Sequence, residues 1–143
     1  MTTATLKFEA TFEANTVNLA KIRTFIREAA RGSGADDSTL DEIELAVDEA
    51  CTNVIEHGYQ GQVEGRTIRI EVTSSRRAIV ITIIDRSAEF DPSSVPLPDL
   101  EQVRRDLQVG GLGLFLVRTL MDDVSYEAGP EGNRLTLTKR VGL

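Results

Sequence analysis

Three short stretches of this 143-residue chain carry side chains whose types and spacing could do chemistry. The first is "LDEIELAVDEACTNVIEHG" (40–58), in which Glu49, Asn53 and His57 recur every fourth residue. At about 100° per residue, that spacing stacks a carboxylate, an amide and an imidazole in one row up a helix. On the same wheel Ile43, Ala46, Val47, Ala50, Cys51 and Val54 share an apolar arc. Glu49 falls just outside that arc, Asn53 at its edge, and His57 inside it between Ala46 and Ala50. Two readings stand. Asn53 and His57 could be satisfied polar residues at the core edge, with Glu49 solvated. Alternatively, the row lines a pocket between helix and sheet. An amide oxygen is a hard ligand suited to magnesium beside substrate phosphates. A carboxylate one turn away could take a proton from a hydroxyl or a water. This set suits phosphoryl chemistry better than zinc chemistry, because His57 is the single histidine and Cys51 points elsewhere.

The second stretch is "GGLGL" (110–114), directly before an apolar run. Glycines let backbone N–H groups approach a phosphate, and a helix N-terminus adds favourable partial charge. It is neither a P-loop, for lack of Gly-Lys-Ser/Thr, nor a Rossmann fingerprint, since residue 116 is Leu. A hinge that also packs closely is the competing reading. The third is "IIDRSAEFDP" (83–92), where a β-branched run stops on Asp85. A loop-capping role is the default for such an aspartate. A carboxylate on a pocket floor could instead accept a hydrogen bond from an exocyclic amine such as that of adenine.

These residues need elements to position them. "TLKFEATF" (5–12) alternates like a strand with one wet face. A helix follows from Asn15 or Thr16, with Leu19, Ile22, Ile26 and Ala29 on its apolar side, and Gly32-Ser33-Gly34 ends it. A second helix starts at the capping pair Asp37-Ser38 and runs to Glu56 or His57, stopping at Gly58. Residues 66–74 and 78–85 read as a hairpin across "SRR". Residues 92–109 hold three of the four prolines and read as a lid. The apolar helix after "GGLGL" and a closing hairpin, "VSYEA" and "RLTLTKR" about "GPEGN", complete the chain. The order β-α-α-β-β-lid-α-β-β predicts an α+β fold: a two-layer sandwich, with a mixed, mostly antiparallel sheet and helices on one face.

Length and composition agree with one domain over 1–143, at 41% hydrophobic and 27% charged. The formal charge of −7 disfavours nucleic acid as a partner. A single cysteine cannot close an internal disulfide, which fits a cytoplasmic protein. No stretch has transmembrane length, and the N-terminus lacks the pattern of a signal peptide.

Taken together, the motifs resemble the anti-sigma-factor serine kinase branch of the GHKL, or histidine-kinase-like, ATPase superfamily, whose domain has the Bergerat fold. The resemblance runs from about residue 5 to 140. "ELAVDEACTNVIEH" looks like the N-box, "IIDRSAEFDP" like the first glycine box, "GGLGLFLVRTLMDDVSYE" like the second, and "GNRLTLTKR" also fits. The resemblance implies that Asn53 coordinates Mg²⁺ between ATP phosphates and Glu49 is the general base on the attacking hydroxyl. It further implies that Asp85 holds the adenine amino group. Gly110, Gly111, Leu112, Gly113 and Leu114 would form the lid end and helix start against the phosphates. His57 would shape the pocket, and Phe90 would line it where the lid leaves the sheet. The implied partners are a sigma factor and a STAS-domain anti-anti-sigma factor phosphorylated on serine, and the implied assembly is a homodimer.

Two departures matter. Position 87 is Ser where the first glycine box reads Asp-x-Gly, and a serine resists positive φ and takes space near adenine. Gln108-Val109 precede Gly110, where kinases of this type can carry a basic residue. Arg104 and Arg105 could swing in from the lid, or stay solvated there. The departures keep a second function in view: a partner-switching binding module whose nucleotide site is weak or non-catalytic. Finally, Arg23, Arg27 and Arg31 form a basic row on the first helix. It reads as a solvated face or as a surface for an acidic partner, and in the second case charge reversal at Arg27 would weaken partner binding and nothing else.

Overall fold

The computed structural model describes residues 5–60, 64–87, 112–130 and 132–142. Strand β1 (Leu6–Glu13) leads through a 3₁₀ turn into helix α1 (Leu19–Ala30), and α2 (Asp37–Asn53) ends in a π-helical turn, Val54–Gly58. Next come β2 (Thr67–Ser74), β3 (Ala78–Asp85), α3 (Leu112–Leu120), β4 (Asp123–Gly129) and β5 (Gly132–Arg140). The five strands form one sheet in the order β1-β2-β3-β5-β4. The expected lid, 92–109, lies outside the described residues.

The α+β two-layer reading holds, with one adjustment. Every neighbouring pair of described strands is antiparallel, where a mixed sheet was expected. The crossover from β3 through α3 does make β4 run parallel to β3. Strand β5 then folds back between the two, so the parallel strands never touch.

Alternation builds the core. Register pairs Ile70 with Ile83 and Val72 with Ile81, and Ile81 with Leu137. Directly opposed residues share a face, so these side chains form one apolar sheet surface. Against it pack Ile22 and Ile26 of α1 and Ile43, Ala46, Val47 and Cys51 of α2, all essentially inaccessible. Each isoleucine buried this way contributes about 1.5–3 kcal/mol relative to exposure. Phe12 meets Phe25 edge-on, with centroids 5.8 Å apart, joining β1 to α1. The opposite face is wet and held by charge: Arg69 pairs with Glu9 and Glu71, and Glu71 in turn with Arg134.

Local chemistry sets the helix ends. The Asp36 side chain caps α2 by accepting from the Thr39 N–H at 2.8 Å, one residue before the expected cap. Gly34 takes a left-handed conformation (φ 80°) between the helices. At the far end of the sheet, Lys139 donates to the Leu120 carbonyl that closes α3 and to Glu42 of α2. A cation there satisfies the helix's terminal carbonyls and matches its dipole.

The basic row of α1 has been turned inward on the molecule's own acids. Arg23 pairs with Asp48, Arg27 with Asp37, Asp41 and Glu44, and Arg31 with Glu28. Hydrogen bonding to Glu44, with Asp41 adding, raises the Arg27 guanidinium above its ordinary pKa. The expectation that reversal at Arg27 would touch only partner binding is therefore corrected, because Arg27 clamps α1 to α2. Arg27→Glu should lower the thermal midpoint, while Arg31→Glu at the exposed margin should leave it nearly unchanged. Ile81→Ala, at a fully buried position, should cost about 2–5 kcal/mol in urea unfolding.

Candidate functional site

Helix α2 carries six acids, and their pairing separates one from the rest. Asp37, Asp41 and Glu44 face Arg27, Asp48 faces Arg23, and Glu42 faces Lys139. Glu49 is half-buried and, among the described residues, has no hydrogen-bond or ion-pair partner. One turn on, Asn53 ends the α-helix, also half-buried and without a side-chain partner among the described residues. A carboxylate and an amide held on a rigid helix with their polar atoms unspent are suited to meet a ligand.

Beyond Asn53 the helix widens. The Tyr59 N–H donates to the Val54 carbonyl at 2.7 Å, a bond spanning five residues. The extra residue in this turn rotates the positions after it, so the ideal wheel stops applying. Ile55 and Tyr59 are buried, and His57 is exposed, not within the apolar arc as expected. Such wide turns recur at functional sites.

Sequence reasoning overlooked Tyr59. Its hydroxyl donates to the Thr67 carbonyl at 2.7 Å and accepts from the Arg86 N–H at 2.9 Å. The Arg66 guanidinium lies 5.5 Å from the centre of its ring. Tyr59 thereby ties the turn after α2 to the start of β2 and to the residue following Asp85. A tyrosine directly behind the helix-stopping Gly58, in a chain with two tyrosines, was the available signal. Burial raises its phenol above the ordinary value, with the Asp85 charge adding and the Arg86 N–H opposing.

Asp85 sits opposite both Ile68 and Asn133, which puts its side chain on the helix-covered face, where it is 6% exposed. Its Oδ1 accepts from the Ser87 N–H at 2.8 Å, the Ser87 hydroxyl at 2.5 Å and the Asn133 amide at 3.0 Å. The first of these is the Asx contact that a loop cap predicts. Burial pushes the Cys51 thiol up to about 12, with Asp48 and then Asp85 adding to it. The strand-end carboxylate therefore lies within electrostatic reach of the inner face of α2, the helix that bears Glu49 and Asn53.

Ser87 fits without the strain that its sequence position suggested. Among the described residues other than glycine, only Gln60 has a positive φ. Room for the hydroxymethyl comes from Gly58, where a Cβ would fall 2.7 Å from the Ser87 hydroxyl. Gly132, at φ 120°, brings β5 so close that a Cβ there would lie 2.4 Å from the Asp85 carbonyl oxygen. Asn133 was also missed, because only strand register puts it beside Asp85.

Of the other expected residues, Leu112, Gly113 and Leu114 form the first turn of α3, the helix packed on α2. Phe90, Gly110 and Gly111 lie outside the described residues, as do Arg104, Arg105, Gln108 and Val109. The described residues contain no group of three or more His, Cys, Asp and Glu that could cage a metal. A magnesium brought in with phosphates and needing one amide oxygen matches the donor that Asn53 leaves unspent.

Comparison with known proteins identifies the family. The profile described as "Histidine kinase-like ATPase domain" matches residues 12–139. The chain belongs to that family. Similar relatives include the serine-protein kinase RsbW of Halalkalibacterium halodurans, 33% identical over 92% of this chain and 81% of its own. The anti-sigma F factor of Bacillus licheniformis is 34% identical over 73% of this chain and 74% of its own. A solved structure of the RsbU and RsbW domains of a Mycobacterium tuberculosis protein superposes with a TM-score of 0.66 at 23% identity. It covers 94% of this chain, which spans 32% of that larger one, and it supports the histidine kinase-like fold.

Two measurements probe this ATPase-family site without nucleotide. Tyr59→Phe should cost about 1–2 kcal/mol near neutral pH, through the unpaired Thr67 carbonyl and Arg86 N–H. Because folding raises the phenol's pKa, the neutral form's contribution is intact below about pH 10 and is lost as pH climbs through the folded value. Alkaline loss of stability, followed by circular dichroism, should accordingly be steeper in the parent protein than in Tyr59→Phe. Cys51, inaccessible and pushed up to about 12, should resist iodoacetamide at pH 8 and react only once denaturant unfolds the chain.

Proposed function

We propose that this chain is an ATP-dependent anti-sigma regulatory factor with serine-protein kinase activity, transferring phosphate to a STAS-domain anti-anti-sigma factor and sequestering a sigma factor. The observation that carries the reading is the carboxylate of Glu49 one turn below the amide of Asn53, both without a side-chain partner among the described residues, on a helix whose other acids are all engaged. The names of the kinase and anti-sigma relatives support it.

In this mechanism Glu49 would accept the proton from the partner's serine hydroxyl as that oxygen takes the phosphoryl group and ADP leaves. Asn53 would offer its amide oxygen to Mg²⁺. Asp85 would accept from the adenine amine, and Leu112, Gly113 and Leu114 open the helix whose N-terminal end would favour the phosphates' negative charge. By the resemblance, Gly110, Gly111 and Phe90, which lie outside the described residues, would also contact the nucleotide, and His57 would border the pocket. Mg·ATP, when bound, supplies the phosphoryl group and the cation that offsets its charge. Phosphoryl transfer asks mainly for positioning and charge stabilisation, which a rigid helix and a fixed strand end provide. The buried free thiol of Cys51 supports a reducing, cytoplasmic setting, and a homodimer is the proposed assembly.

Ser87 is the observation that favours a second reading, a partner-switching module with weak or no catalysis, since a family glycine is absent there. The two readings part on one experiment. Incubated with Mg·ATP and the STAS protein encoded beside it, the chain should add one phosphoryl group to that partner by intact mass. Glu49→Gln should slow transfer by about 10²–10⁴-fold while ATP still binds, and Asn53→Ala should lose magnesium-dependent ATP binding. ATP binding without transfer would favour the second reading. A captured partner with no nucleotide binding would sink the ATP assignment.

A further inference from the structure

Asn133 lies outside the three motifs that define the site, yet its amide hydrogen-bonds the side chain of Asp85. Its Nδ2, with two protons to give, lies 3.0 Å from Asp85 Oδ1 and 3.2 Å from both the Ser87 carbonyl and the Ser87 hydroxyl oxygen, so at least one proton is shared. Both Asn133 and Asp85 are buried, at 2% and 6% exposure. We infer that Asn133, together with Ser87, is a positioning residue that makes Asp85 selective for an amino purine over an oxo purine, an inference that rests on Asp85 being the base-recognising group.

A carboxylate's terminal torsion is soft and nearly two-fold, so an unrestrained Asp85 could present either oxygen. Here three donors converge on Oδ1, and among the described residues none goes to Oδ2. The carboxylate plane is thereby set. Ser87 has one hydroxyl proton and gives it to Asp85, while its oxygen accepts from Asn133. The trio consequently has no donor left over from the serine, and what Asp85 offers a ligand is the acceptor Oδ2. An exocyclic amine satisfies it. A ring carbonyl at the same place would set acceptor against acceptor.

The surrounding glycines preserve this arrangement. Gly132 allows the close approach of β5 that brings Asn133 level with Asp85, and Gly58 leaves the space that the Ser87 side chain fills. Removing Asn133 would take away one of the three donors to Oδ1 and the donor to the serine oxygen, loosening the carboxylate torsion and letting the serine hydroxyl turn towards a ring carbonyl. Selectivity would fall from both sides.

The test compares Mg·ATP with Mg·ITP, whose base bears a carbonyl in place of the amine, by titration calorimetry on the full chain. The parent protein should prefer ATP, and Asn133→Ala should shrink the ATP-to-ITP affinity ratio by about fivefold to tenfold, the worth of one such hydrogen bond. Ser87→Ala should shrink it too, and decides the matter alone if Asn133→Ala does not fold. Gly58→Ala should mimic these variants by displacing the serine, and adding Ser87→Gly should relieve the collision without restoring the ratio. An unchanged ratio in a folded Asn133→Ala or Ser87→Ala, even with both affinities lowered, overturns the inference and leaves a structural role only. A parent protein that binds ATP and ITP equally, or neither, instead overturns the reading of Asp85 itself.

Discussion

The site depends on one cross-strand row, Ile68–Asp85–Asn133, at the end of the sheet. Up to that row the helix-facing side of β3 is isoleucine, and the apolar core specifies register strongly, since a slip of one residue would turn every isoleucine outward. Asp85 inherits this precision. It occupies the next core-facing position after Ile83, so a polar group is delivered to the edge of the core by the same alternation that packs the core. The unusual residue needs no special backbone to reach its place.

Charge is organised with equal economy on the helical layer. An acidic chain with six carboxylates along α2 would repel itself if they were left free. Among the described residues, the arginines of α1 and Lys139 of β5 absorb all but one. Individually exposed pairs of this kind contribute little. Their effect is to make Glu49 chemically distinct from its neighbours, which no reading of composition would reveal.

Much of this was legible in the sequence, because the strongest signals are local. The β2–β3 hairpin was expected at 66–74 and 78–85 and forms at Thr67–Ser74 and Ala78–Asp85, since β-branched alternation and a three-residue turn determine it without outside help. Glu49 and Asn53 were legible for the same reason, lying on a regular helix. His57 was misplaced because the wheel assumes 3.6 residues per turn, and a π-helical turn begins at Val54. Asn133 was illegible because its meaning comes from pairing with a strand far away in sequence. That Ser87 sits without backbone strain was illegible, because its φ and the space at Gly58 are properties of the folded chain. Long-range register and departures from ideal helix geometry are what a linear reading lacks.

The phenol of Tyr59 closes a ring. Helix α2 leads into the wide turn, the turn into Tyr59, the hydroxyl bridges to the Arg86 amide, and Arg86 follows Asp85 on the strand that packs back beneath α2. An open chain can flex at any joint, whereas a closed ring distributes a displacement over all of its members. The spacing between helix and strand end is thus a property of the loop as a whole, and a change of one residue in the length of the turn would alter the geometry at both ends of the site at once.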